Sequence, residues 1–200
     1  MKNLTIRKSV FAIALIALPL MSFADGFSFV KLTSKENKML TLRVGSAQSD
    51  LTTIILKNQF GQAVYNETIR NVEGILKNFD LRNLESGHYT VEIENDLTIE
   101  VLPISITWDS VKIDRNQFTT LHKPFIKLKE NGMVDFNYLN LSTFSTSIVI
   151  LDNKGNVVYK EDVGESSDIE KRYDISSLEK GEYQFIVQSG GRNFKYSLAL

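Results

Sequence analysis

Two aspartates set in the same phrase are the first candidates for chemistry. Asp80 opens Asp80-Leu81-Arg82-Asn83-Leu84-Glu85-Ser86-Gly87-His88-Tyr89, and Asp174 opens Asp174-Ile175-Ser176-Ser177-Leu178-Glu179-Lys180-Gly181-Glu182-Tyr183, 94 positions later. Two carboxylates can divide acid and base roles, or share a calcium ion. Each of these belongs to its own copy of the phrase, so the spacing predicts two separate turns. An aspartate just ahead of a tight turn accepts backbone N–H groups two or three residues on, which gives Asp80 and Asp174 a capping role. Leu84 and Leu178 fall where the turn can tuck an apolar side chain under a sheet. Gly87 and Gly181 are expected to take positive φ and let the chain reverse. Tyr89 and Tyr183 then open a strand, ring inward and hydroxyl on nearby backbone, as in a tyrosine corner.

The remaining reactive residues are sparse. The chain has two histidines, His88 and His122, and no cysteine. Thiol catalysis and thiolate metal sites are therefore excluded. His88 stands where the second copy has Glu182, an outward position. No nucleophile elbow and no His-x-x-x-His spacing accompany it. Asp152-Asn153-Lys154-Gly155-Asn156 faintly suggests a calcium loop, but lacks the alternating acids and distal glutamate of an EF-hand and is read as a turn. Carboxylate pairs of the glycosidase kind remain an open but weak alternative. No catalytic residue, cofactor or metal ligand is assigned. Trp108, Phe118, Tyr138 and Phe144 are the candidates for an aromatic binding face, with the core as their default position.

The elements that position these residues follow from a duplication. Gly61 to Tyr89 aligns without a gap on Gly155 to Tyr183, and 11 of 29 columns are identical: Gly61, Val64, Tyr65, Glu67, Ile75, Lys77, Asp80, Leu84, Glu85, Gly87 and Tyr89. Apolar runs are short, β-branched or aromatic, and alternating, as in Met39-Leu40-Thr41-Leu42-Arg43-Val44 and Tyr183-Gln184-Phe185-Ile186-Val187. Leu56 to Tyr65 and Leu151 to Tyr159 each read as strand, glycine turn, strand. Phe29-Val30-Lys31-Leu32 resembles Phe125-Ile126-Lys127-Leu128, which extends the repeat to about seven strands per module. The fold class is all-β, with two tandem immunoglobulin-like antiparallel β-sandwiches. The boundaries are a signal peptide at 1–24, module 1 at 25–103, a strand and linker at 104–123, and module 2 at 124–200. The linker alternates over Ile104, Ile106 and Trp108 and is poor in Gly and Ser, so it is not a flexible hinge.

Lys2, Arg7 and Lys8 precede the apolar run Val10 to Met21, and Ser22-Phe23-Ala24 follows it. That is the pattern of a cleaved secretory signal. The run has 12 residues, short of the roughly 20 that span a bilayer. Without cysteine an exported chain gains no disulfides, so apolar burial alone must hold each module. Past Ala24, 20 basic side chains are interspersed with 24 acidic ones, which disfavours a nucleic-acid partner.

Phe79-Asp80-Leu81-x-x-Leu84-x-x-Gly87-x-Tyr89-x-Val91-x-Ile93 and Tyr173-Asp174-Ile175-x-x-Leu178-x-x-Gly181-x-Tyr183-x-Phe185 resemble the C-terminal sorting domains of the type IX secretion system of Bacteroidota. The likeness covers most of Thr52 to Leu102 and Thr146 to Leu200, and implies an immunoglobulin-like sandwich. The leading expectation is a non-enzymatic exported protein of the periplasm, outer-membrane surface or medium, whose paired modules bind another envelope or surface protein. The alternatives are a sorting module recognised at the outer membrane, and a carbohydrate-binding module resting on Trp108.

Overall fold

The computed structural model describes residues 29–45, 51–70 and 74–200; the signal peptide read at 1–24 lies outside them. No helix among the described residues is long and apolar enough to cross a membrane.

Module 1 begins with β1 (Val30–Lys35), β2 (Met39–Val44), β3 (Leu51–Asn58), β4 (Ala63–Arg70), β5 (Ile75–Asp80), β6 (Gly87–Glu94) and β7 (Thr98–Ile106). After β8 (Val111–Ile113), a 3-10 turn at Arg115–Gln117 and β9 (Thr119–His122), module 2 repeats the pattern. Its strands are β10 (Phe125–Leu128), β11 (Met133–Leu139), β12 (Thr146–Leu151), β13 (Val157–Gly164), β14 (Asp168–Asp174), β15 (Glu182–Ser189) and β16 (Arg192–Ala199). Each module packs a three-stranded sheet on a larger one. The orders are β1-β2-β5 against β4-β3-β6-β7, and β10-β11-β14 against β13-β12-β15-β16, antiparallel throughout.

Period-two alternation places one side of every strand inside. Along β3, Thr52, Ile54 and Leu56 are buried while their neighbours are not. The core of module 1 gathers Leu32, Leu42, Ile54, Val91 and Ile93; that of module 2 gathers Val134, Phe136, Ile148, Phe185 and Val187. The Phe136 and Phe185 rings lie 6.0 Å apart. Each such side chain contributes about 1.5–3 kcal/mol when removed from water, and the described residues carry no disulfide to add to that.

The segment read as a strand and linker at 104–123 instead holds the end of β7 and two further strands, β8 and β9. β7 runs through Pro103 to Ile106, and the chain then folds back to lay β8 and β9 along its outer edge. Ile104 and Ile106 are buried, but Trp108, placed by alternation in the same row, is 84% exposed. The strand has ended by then, and a turn closed by Thr107 N–H on the Ser110 carbonyl (2.9 Å) turns the indole outward. Phe118 packs against the core of module 1 and Tyr138 is buried in module 2, whereas Phe144 is 38% exposed.

Candidate recognition surface of the second module

The repeated phrase performs the same local task in both modules. The Asp80 carboxylate accepts the backbone N–H of Arg82 (3.1 Å), and Asp174 that of Ser176 (3.0 Å). Arg82 also forks onto Asp80 through Nε and Nη2, and this ion pair with the backbone bond holds the carboxyl down at about 2. The Ser176 hydroxyl and N–H hold Asp174 below its ordinary range in the same way. Leu84 N–H closes on the Leu81 carbonyl (3.0 Å) and Leu178 N–H on the Ile175 carbonyl (3.1 Å), bringing both leucines against their cores. Tyr89 donates its hydroxyl to the Glu85 carbonyl (3.0 Å), and Tyr183 to that of Glu179 (2.9 Å). Both rings are buried. The two aspartates are the last residues of β5 and β14, one per sandwich, and each is satisfied by the turn that follows.

Gly87 and Gly181 depart from their expected conformation: neither has positive φ, and a Cβ on Gly181 would meet nothing within 4 Å. Positive φ falls instead on the hairpin glycines Gly61 (77°) and Gly155 (84°). There Asn58 Oδ1 accepts the N–H groups of Phe60 and Gln62, and Asp152 Oδ1 those of Lys154 and Asn156. The loop at Asp152 is thus a side-chain-braced turn whose carboxylate is already spent on backbone. His88 is exposed on β6 and shares a hydrogen bond with Ser105 (3.1 Å).

Three further identical columns form a contact that crosses from one sheet to the other. Glu67 on β4 accepts from Lys77 on β5 (2.5 Å) and from the Tyr65 hydroxyl, while Tyr65 stacks edge-on against Phe79 at 5.3 Å. At the same offset, Glu161 accepts from Lys171 (2.6 Å) and from the Tyr173 hydroxyl (2.8 Å), and Tyr159 stacks on Tyr173 at 5.7 Å. Each set closes the side where the edge strands of opposing sheets meet. The lysine hydrogen bond leads in holding both glutamates below the usual carboxylate range. Repetition of Tyr65, Glu67 and Lys77 in the sequence was the available signal; their juxtaposition needed the fold.

Module 2 is also tied to module 1. Arg192, at the start of β16, donates twice to Glu92 on β6 (2.7 and 3.2 Å), and Lys57 reaches the same carboxylate at 2.7 Å. The Glu92 side chain is only 5% exposed. Burial raises its pKa, but the Arg192 and Lys57 hydrogen bonds outweigh burial and hold the group ionised below its ordinary range. Next to it, Lys123 pairs with Glu94 (2.5 Å) and donates its N–H to the Leu97 carbonyl (2.7 Å). Within module 2, the Tyr196 hydroxyl donates to the Pro124 carbonyl at the module's first residue. The Lys57–Glu92–Arg192 bridge borders a polar cleft of about 860 Å³, lined also by Gln59, His88 and Ser105. The residues 94 positions from Glu92 and Arg192 are Ile186 and Thr98, so the bridge uses side chains that the two copies do not share. That is why the repeat did not reveal it.

The fold and its duplicated turn define a tandem β-sandwich protein. Residues 129–198, spanning β11 to nearly the end of β16, match the family of secretion system C-terminal sorting domains. Residues 28–108, which cover the first copy of the phrase, match a domain of unknown function, DUF3244. Two regions of the chain thus match two different domain families, the second of them a secretion sorting tail, and a sorting tail implies export. Neither family description names an enzymatic activity. No curated protein matches the chain. Among solved structures it is similar to a biofilm associated protein, BSP domain, at 14% identity and a TM-score of 0.28, over 84% of this chain and 29% of that one. It is also similar to native alpha-2-macroglobulin from Escherichia coli spanning domains MG0-NIE-MG1, at 11% identity and a TM-score of 0.29, over 86% of this chain and 63% of that one. The chain therefore spans less than two thirds of either structure, and likenesses this distant carry no functional argument.

Proposed function

We propose that module 2 is the address that directs this chain through the type IX secretion system, and that module 1 is its folded, non-enzymatic passenger. The observation that carries this reading is the match of residues 129–198 to the sorting-domain family. That segment takes in β11 to nearly the end of β16, most of a sandwich that has its own core. The address is presented by a rigid surface: the turn at Asp174, the Glu161 cluster and the terminal strand β16. The chain's destination is the outer-membrane surface or the medium. Module 1 binds an envelope or surface protein through faces that module 2 does not duplicate. The test fuses residues 124–200 to a folded periplasmic reporter in a type IX-competent host. Export of the reporter, and retention of the native chain when these residues are deleted, support the reading. A reporter held in the periplasm with its tail intact overturns it.

A further inference from the structure

The two modules treat equivalent sheet edges differently. In module 1 the outer edge of β7 is fully used. The β9 strand pairs with Thr98 to Val101, β8 pairs with Ile104 to Ile106, and the Pro103 carbonyl accepts the Asp114 N–H (3.4 Å). In module 2, among the described residues, β16 pairs with β15 alone. Hydrogen bonding alternates along an antiparallel pair, and Gly181 and Leu200 exchange both of theirs (3.3 and 3.0 Å). By that parity Phe194, Tyr196 and Leu198 bond to β15, while the backbone groups of Asn193, Lys195, Ser197 and Ala199 point away from it.

The side chains beneath these edges differ in step. Leu102, Ile104 and Ile106, under the covered edge, are 1 to 2% exposed. Their counterparts under the open edge are Tyr196, Leu198 and Leu200, of which Tyr196 and Leu200 remain only half-buried against their core. The opposite edge of the same sheet is broken by register shifts between β12 and β13, whereas β15 and β16 pair in unbroken register over eight residues. Bulges and prolines blunt an edge against added strands; β16 has neither, and Lys195 is its one charge after Arg192.

We propose that the outer edge of β16 is a docking site for an extended polypeptide segment of apolar-polar-apolar pattern, added to the sheet as a further strand. The pattern of the occupant is argued from module 1. There Val111-Lys112-Ile113 fills the corresponding edge, with Val111 buried, Ile113 packed on the core and Lys112 outward. A segment of this kind on β16 satisfies the free backbone groups and covers Tyr196 and Leu200. The proposal deepens the sorting reading by naming what the module's partner must present.

The probe is a labelled peptide of residues 107–123, the segment that covers the edge in module 1, added to the mature full chain. In the free protein the amides of Asn193, Lys195 and Ser197 exchange fast with solvent deuterium while those of Phe194, Tyr196 and Leu198 are protected; with the peptide bound, the outward set slows. Ser197→Pro places proline where module 1 has Pro103, so it removes an outward donor without touching the β15 ladder. It weakens peptide binding about tenfold, with β15 amides still protected. Outward amides already protected in the free monomer, no peptide binding, or equal binding by the Ser197→Pro chain each overturn the proposal. The sorting reading fails separately. Export that survives deletion of residues 124–200 sinks that reading, whereas lost export on deletion with normal export of the Ser197→Pro chain removes only the edge from it.

Discussion

Replacing Arg192 by alanine tests the link between the modules, because it removes a bidentate contact without entering either core. The guanidinium gives Glu92 two hydrogen bonds, at 2.7 and 3.2 Å, and the carboxylate is 5% exposed while the Arg192 side chain is 25% exposed. A hydrogen bond to a charged group contributes about 1.5–3 kcal/mol, and partial exposure of the cation lowers the sum toward a single such bond. The expected coupling between Arg192 and Glu92 is about 2 kcal/mol, which is roughly a thirtyfold change in the ratio of docked to open modules. Lys57 still pairs with Glu92 in the variant, so module 1 does not bury an unpaired charge. Single-molecule energy transfer between dyes on the two modules reads the ratio for Arg192→Ala, Glu92→Gln and the double variant. The melting transitions of the separate cores stay within about 0.5 kcal/mol, as for surface substitutions. Glu92 has its pKa depressed in the folded chain, so its contribution is present above the ordinary carboxylate value and is lost as pH falls through the lowered one. Undocking is therefore expected only in acid. An unchanged docked ratio in Arg192→Ala, or zero coupling in the double variant, would refute the reasoning.

Four further outcomes follow from the repeated turn, the hairpins and the exposed indole. Tyr89→Phe and Tyr183→Phe each lose the hydroxyl bond to backbone and should cost about 1 kcal/mol in urea denaturation; a loss under a few tenths would remove the corner from the account. Gly155→Ala, at positive φ, should destabilise by about 1 kcal/mol, whereas Gly181→Ala should not, and equal costs would contradict the assigned backbone. Gly190→Ala should cost more than either, since its Cβ would lie 2.5 Å from the Phe144 ring; thermal denaturation decides. Trp108→Ala should leave stability unchanged because the indole is exposed, and a large fall would place it in a core.

What could be read before the fold was known was local. Alternation in runs such as Tyr183 to Val187 gives strands, and Asp80 with Tyr89 gives a braced turn, because those effects reach only a few residues along the chain. Repetition of Gly87 and Gly181 does not require positive φ; the conformational demand lies at Gly61 and Gly155, which the same alignment also repeats. Alternation over Ile104 and Ile106 points Trp108 inward, but β7 ends at Ile106 and the rule ends with it. The Glu67 and Glu161 clusters lay in identical columns, yet their pairing depends on two sheets meeting edge to edge. The bridge from Glu92 to Arg192 joins residues 100 positions apart, and no periodicity encodes such a contact.

If module 2 addresses the chain for export beyond the outer membrane, fractionation of the native protein with mapping of both its ends shows it. The expected result is protein at the cell surface or in the medium, beginning near Asp25 and with module 2 removed or altered at its C-terminal side. Recovery of the chain from the periplasm, with module 2 intact through Leu200, would contradict it.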